Sequence, residues 1–202
     1  SDDDGLVLPP KLAPLQVVIV PICKGIDQKQ MIDEKVKLFI SEFKALGIRV
    51  KYDDDDSSRP GWKFAEYELK GVPVRIAIGA RDLQNNSVEV ARRDTKEKMS
   101  VSIEGLADSI NLLLKNIQEN IYNKAKIFRD NHITKANTWD EFVQLLDTKG
   151  GFISAHWDGT AETENEIKEL TKATIRCIPL NNPKEGGTCI LTGKPSNERV
   201  LF

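Results

Sequence analysis

The chain has 202 residues, 40% hydrophobic and 30% charged, with 13 Gly and 9 Pro, which excludes disorder over its whole length and leaves room for one or two domains. A net charge of −2 excludes a uniformly basic nucleic-acid binder, and three cysteines are too few, and odd in number, for a disulfide scaffold. No apolar run approaches the ~18 residues of a membrane span and the acidic N-terminus lacks secretory character, so a cytoplasmic protein with reduced thiols and no membrane partner is expected.

The small net charge hides a gradient. Residues 1–56 carry 8 Lys/Arg and 11 Asp/Glu, residues 57–100 carry 9 and 6, and residues 101–202 carry 12 and 14. Only the middle stretch has a basic excess that would help a polyanion to bind.

Asp2, Asp3 and Asp4 open a polar arm, and Pro9, Pro10 and Pro14 keep the following backbone extended. Gln16–Ile22 is a continuous apolar run rich in β-branched residues, as in a strand buried on both faces. Met31, Ile32, Val36, Phe39, Ile40, Phe43 and Leu46 then repeat at helical spacing up to Gly47, and Ile48–Tyr52 alternates as a second strand. Asp53–Asp56 is an acidic run without a spaced ligand set. A solvated turn explains it more simply than a metal site does.

Trp62–Lys70 is expected to be helical, Val72–Ile78 a third strand and Ser87–Arg92 a fourth, entered through a turn at Asn85–Asn86; Met99–Ile103 supplies a fifth. An apolar stripe from Ile103 to Phe128 predicts a long closing helix of some seven turns, which runs on as a connector. Beyond Asn131 a helix is expected at Trp139–Thr148, a strand at Gly151–Trp157, a helix at Glu162–Lys172 and a strand at Thr174–Leu180. Gly and Pro then punctuate a hairpin tail with strand character at Thr188–Leu191 and Arg199–Phe202. The expected architecture is α/β: a mixed five-stranded sheet flanked by helices, a long connecting helix and a second small α/β domain.

No glycine-rich phosphate loop precedes a helix, so the nucleotide-binding motifs are missing. His132 and His156 are isolated from any nucleophile or acid motif. Cys177 and Cys189 could supply half a zinc site or simply two packed thiols, and no further spaced ligand completes a set of four.

The strings GLVLPPKLAPLQVVIVPI (Gly5–Ile22) and RPGWKFAEYELKGVPVRIAIGARDL (Arg59–Leu83) resemble the prolyl-tRNA synthetase family, and more narrowly its archaeal/eukaryote-like type. RCIPL (Arg176–Leu180) and GTCILTGKPSNERVLF (Gly187–Phe202) are similar to the extra C-terminal domain of that type. The resemblance implies a C-terminal fragment without the catalytic domain, divided into a linker at 1–15, an anticodon-binding domain of class IIa fold at 16–103, a closing and connecting helix at 104–131 and the extra domain at 132–202. It implies a proline–tRNA ligase whose full-length form uses ATP and Mg, is a homodimer chiefly through the absent catalytic domain, and binds tRNA(Pro). The fragment itself would hold no catalytic residue and no cofactor, and its end at Phe202 would lack the family's terminal tyrosine. The family's zinc ligands are matched only at Cys177 and Cys189, with Leu191 and Thr192 where thiolates are sought, so no metal is expected. The alternative is a free-standing interaction or regulatory module that reuses an anticodon-binding fold.

The anticodon-binding residues implied by the resemblance are Phe64, Glu68, Arg75, Arg81 and Asp82. They would recognise guanines at the second and third anticodon positions, by stacking on Phe64, by acceptance from N1–H and N2–H₂ at the carboxylates, and by donation from arginine to O6 and N7. Lys63 or Lys70 would contact phosphate. The residues alone leave other roles open: Phe64 in the core, Glu68 on a solvated helix face, Arg75 and Asp82 in an intradomain ion pair.

Overall fold

A computed structural model describes residues 1–202, which form two compact units, Ser1–Lys124 and Ala125–Phe202. The division falls inside the longest helix.

In the first unit the strands are β1 (Val17–Ile22), β2 (Val50–Tyr52), β3 (Val74–Gly79), β4 (Ser87–Arg92) and β5 (Lys98–Ser102). Helix α1 (Ile26–Ala45) joins β1 to β2 and α2 (Pro60–Leu69) lies between β2 and β3. Helical crossovers of this kind return the chain in the same direction, so β1 is parallel to both β2 and β3. Short connections then make β4 antiparallel to β3 and β5 antiparallel to β4, giving the order β2-β1-β3-β4-β5.

Helices cover both faces of the central strands, which is why β1 and β3 are apolar almost without alternation. On one face Val17, Ile19, Val74, Ile76, Ile78, Val88 and Val90 meet Ile32, Val36, Phe39 and Phe43 of α1. The same core takes Leu106, Ile110, Leu114 and Ile117 of α4 (Leu106–Asn131). On the other face Val18 and Val20 pack under Tyr67 and Val72. Pro60 starts α2 at its first turn, where no backbone N–H is needed.

Two further details concern the ends of β3 and α4. Arg81 and Asp82 lie just past β3 in a helical turn, α3 (Ala80–Gln84), whose five residues are too few to show periodicity in the sequence. The apolar stripe of α4 leaves the core after Ile121, and Tyr122, Ile127 and Phe128 are exposed where the helix runs on as a connector.

In the second unit β6 (Ile133–Lys135) runs parallel to β7 (Phe152–His156), and β10 (Arg199–Leu201) lies antiparallel to β7 on its other side. Between β6 and β7 comes α5 (Trp139–Thr148), whose start is fixed by a capping box of Thr138 and Glu141. Helix α6 (Ala161–Thr171) follows β7, capped by Thr160, and β8 (Gly187–Thr188) and β9 (Pro195–Ser196) form a small hairpin. The core is Phe142, Ile153, Ala155, Ile167, Val200 and Phe202, with Phe142 edge-on to Phe202 at 5.0 Å between centroids.

The strand expected at Thr174–Leu180 does not form. That segment lies against the outer edge of β10 and makes a single bridge there, Cys177 with Leu201. The hairpin strand expected at Thr188–Leu191 shortens to β8, with a turn following at Ile190–Leu191. Strand β6, by contrast, was not legible, since three residues cannot display alternation.

A buried network fixes β4 to α4. Asp94, with its side chain only 2% exposed, accepts from Arg92 Nε at 2.8 Å, Arg92 Nη2 at 2.7 Å and Asn120 Nδ2 at 2.7 Å. Burial pushes the Asp94 carboxyl up, but the hydrogen bonds from Arg92 and Asn120 outweigh it and hold the group below its ordinary value of 3.8. Asp94→Ala is therefore expected to cost about 3 kcal/mol at neutral pH, because it strands a nearly buried guanidinium. The group's folded-state pKa is depressed, so its contribution is complete above 3.8 and is lost as pH falls through the folded value. Urea unfolding of both proteins across that range should show the gap closing in acid; a gap independent of pH would refute the assignment.

Candidate nucleic-acid interface

Arg75 belongs to the middle strand of the sheet, in register with Val18 of β1 and Ala91 of β4. Strand alternation points it to the α2 face, and the small Ala77 and Ala91 beside it leave room for a long side chain. Its guanidinium lies over the Phe64 ring, 3.6 Å from the centroid. The side chain is 5% exposed, and one hydrogen bond reaches it, from Nη1 to Glu89 Oε1 at 3.4 Å. Nε and Nη2 are buried with no acceptor at all. A buried donor without a partner costs roughly 1–3 kcal/mol, and no group of the chain itself satisfies the forked edge of this arginine.

Around it is a cavity of about 160 Å³ lined by Phe64, Glu68, Ala91, Arg93 and Lys98 among others. Phe64 and Glu68 are four apart on α2 and so share a helix face, while Lys63 and Tyr67 turn to the sheet. Glu68 and Lys98 are exposed. The polar arm closes the rim. Leu6 N donates to Leu69 O at 3.1 Å, Arg93 Nη1 donates to Asp2 Oδ2 at 2.8 Å, Arg93 Nε donates to Glu68 O at 3.0 Å, and Lys96 pairs with Asp4. Arg93 holds the Asp2 carboxyl far below the usual carboxylate range. The basic excess of residues 57–100 is thus largely taken up within the unit.

The acidic run is also not a plain solvated turn. Asp53 accepts from Tyr67 Oη at 2.8 Å and Lys63 Nζ at 3.1 Å, and Lys63 Nζ donates as well to the carbonyls of Asp53 at 2.8 Å and Asp55 at 2.5 Å. Burial raises the Asp53 carboxyl, but Tyr67 and Lys63 together bring it below its ordinary range. Lys63 is 4% exposed and fully engaged, so it is no phosphate contact, which corrects the expectation. Lys70 is exposed and pairs with Glu66 along the helix.

Of the five residues that the resemblance implies, Phe64, Glu68 and Arg75 come together at this cavity. Arg81 and Asp82 do not. They lie beyond the other end of β3, whose span from Arg75 to Gly79 is about 13 Å at about 3.3 Å per strand residue. Asp82 Oδ2 accepts from Gly79 N at 2.7 Å and so caps α3, and Arg81 is exposed. Arg75 and Asp82 therefore make no ion pair with each other; the carboxylate beside Arg75 is Glu89. Neither Glu89 nor Lys98 stood out in the sequence. The available signal was alternation along an antiparallel pair, which puts Glu89 and Ala91 of β4 on the face that carries Arg75.

In the second unit His156 is buried, with Nδ1 3.1 Å from Ser196 Oγ; burial, then the Arg199 charge, lowers its pKa. Cys177 is exposed and Cys189 buried, and no three His, Cys, Asp or Glu side chains gather as metal ligands would. These residues do not fit a tetrahedral zinc, which needs four ligands.

Comparison with known proteins gives two family matches, "Anticodon binding domain" over residues 16–112 and "Prolyl-tRNA synthetase, C-terminal" over residues 139–202. Along its whole length the chain is 57% identical to a proline–tRNA ligase of Porphyromonas gingivalis, 57% to one of Flavobacterium johnsoniae and 59% to one of Cytophaga hutchinsonii. It spans 41% of the length of each of these relatives.

The contrast between the two lysines of α2 is testable without any ligand. Lys63→Met should destabilise the chain by about 3 kcal/mol, since Asp53 loses a buried partner, whereas Lys70→Met should stay within about 0.5 kcal/mol. Equal urea midpoints for the two variants would contradict the buried position of Lys63.

Proposed function

We propose that the chain is the anticodon-binding domain and the C-terminal domain of a proline–tRNA ligase, and that the Phe64–Arg75 cavity takes a base of the proline tRNA anticodon. The observation that carries this reading is the unpaired Nε–Nη2 edge of Arg75. Such a fork matches the O6 and N7 acceptors of guanine, and a base contact would relieve the unsatisfied donors. Those donors are enclosed, with Phe64 across the guanidinium, so the base reaches them when the ring moves aside. Phe64 then stacks on the base, and Glu68 on the neighbouring helix turn accepts from the base's N1–H and N2–H₂.

Arg81 and Asp82 serve a second guanine at the far end of β3. Anticodon bases are read unstacked and splayed, which suits two subsites so far apart. Asp82 keeps Oδ1 for that contact while Oδ2 caps α3.

The whole protein esterifies proline to tRNA(Pro) in a two-step ATP-dependent reaction, with ATP and Mg²⁺ held by residues outside this chain. It is a cytoplasmic homodimer paired mainly through its catalytic domain. No helix here is long and apolar enough to cross a membrane. Its domain order is that of the archaeal/eukaryote-like type, a reading supported by the C-terminal domain that follows the anticodon-binding domain. The relatives compared are bacterial, so the type describes architecture and not source.

Two outcomes are expected. The 202-residue chain alone gives no proline-dependent ATP–pyrophosphate exchange; exchange above a blank freed of host enzyme would refute that. In the intact synthetase Arg75→Ala weakens discrimination between proline tRNA and a tRNA altered at the second or third anticodon base by about 1–3 kcal/mol. Adenylate formation is retained, because it needs no anticodon. A folded Arg75→Ala enzyme, checked by circular dichroism and melting, that discriminates as well as wild type would refute the base contact.

A further inference from the structure

Glu89 has an unusual setting for a residue in a strand. It stands in β4 opposite Ala77 of β3 and Ser100 of β5, on the sheet face shared with Arg75 and Ala91. Alanine and serine on three sides give its carboxylate nothing to pack against. It reaches diagonally to Arg75 Nη1, 3.4 Å away, and remains 45% exposed while the arginine is 5% exposed. The pair is therefore lopsided: a buried cation whose one charged partner faces outward.

We infer that Glu89 is a positioning residue for anticodon discrimination, which by holding Nη1 turns the Nε–Nη2 edge of Arg75 toward the base. A guanidinium has two forked edges, Nε–Nη2 and Nη1–Nη2, and either can meet a guanine. The stack on Phe64 fixes the plane of the group but not its rotation within that plane. The hydrogen bond at Nη1 fixes the rotation. It takes one nitrogen out of use and leaves the other two, the ones without acceptors, as the reading edge. Without Glu89 the arginine keeps its charge and its stack but presents no single edge, so it attracts RNA without distinguishing guanine from adenine.

The inference rests on the reading of the Phe64–Arg75 cavity as a base site. It is tested with the 202-residue chain and two anticodon stem-loop RNAs, one with the proline anticodon and one with a guanine replaced by adenine. The ratio of the two Kd values is measured for wild type, Arg75→Ala, Glu89→Ala and Glu89→Gln, with melting curves for each. Both Glu89 variants lose the charge, but only Gln keeps an acceptor for Nη1. The expected result is a ratio reduced about tenfold in Glu89→Ala and within about twofold of wild type in Glu89→Gln. Should the alanine variant not fold, Glu89→Asp replaces it; one methylene shorter, it cannot span the gap and should lose discrimination likewise. Equal loss in Ala and Gln, or an unchanged ratio with both RNAs bound more tightly, would mean that Glu89 acts only as a charge and would overturn the inference. Loss in Arg75→Ala with none in Glu89→Ala overturns it alone. Wild type failing to discriminate, or Arg75→Ala losing nothing, overturns the base-site reading and this inference with it.

Discussion

Arg75 is almost fully buried, in a strand flanked on both sides and covered on both faces, and a guanidinium cannot escape the cost by losing its proton. Much of the surrounding structure follows from accommodating that charge. Ala77 and Ala91 are small because the side chain lies across them, and Phe64 offers its ring because a π face tolerates a cation without a hydrogen bond. Glu89 supplies a countercharge from the next strand. What the fold does not supply is an acceptor for the remaining two nitrogens, although the other buried arginines of the unit are well partnered. Arg93 is matched by Asp2 and the Glu68 carbonyl, and Arg92 by Asp94. A sheet that satisfies Arg92 and Arg93 and leaves Arg75 open is arranged for something that arrives from outside.

The same logic explains which parts of the fold were legible from the residues. β1 and β3 announce themselves because burial on both faces removes polar residues, and α1 and the first half of α4 because one buried face repeats every 3.6 residues. The failures share a cause too. Strand β6 and helix α3 are too short to carry a period. The segment at Thr174–Leu180 has strand-like residues, but only pairing makes a strand, and it forms just one bridge with β10. Propensity is local, whereas the assignment of an edge is decided by the rest of the chain.

At the site, residue chemistry alone named nothing. Phe64, Glu68, Arg75, Arg81 and Asp82 came from family resemblance, and the geometry divides them between the two ends of β3. Charge counting along the chain proved the least informative guide. Lys63 looked like one more free cation and is instead the buried partner of Asp53, because an acidic run next to a helix start can fold back on a lysine one turn in. Glu89 was hidden for the opposite reason: its meaning comes from a diagonal neighbour on another strand, 14 residues away.

The docked arm has a bearing on ionic strength. With Asp2 on Arg93 and Asp4 on Lys96, two cations at the rim of the cavity already have carboxylate counterions that belong to the chain. A nucleic acid approaching this rim meets a surface close to neutral and displaces few mobile ions when it binds, and ion release is what gives unselective polyanion binding its strength and its steep salt dependence. Such a surface is poor at holding arbitrary RNA. What attraction remains is short-ranged and directional, carried by an aromatic face and a fork of hydrogen-bond donors, and those interactions persist at salt concentrations that screen a basic patch. The acidic arm thus acts as an internal electrolyte, and on the proposed reading it trades general affinity for selectivity among RNAs.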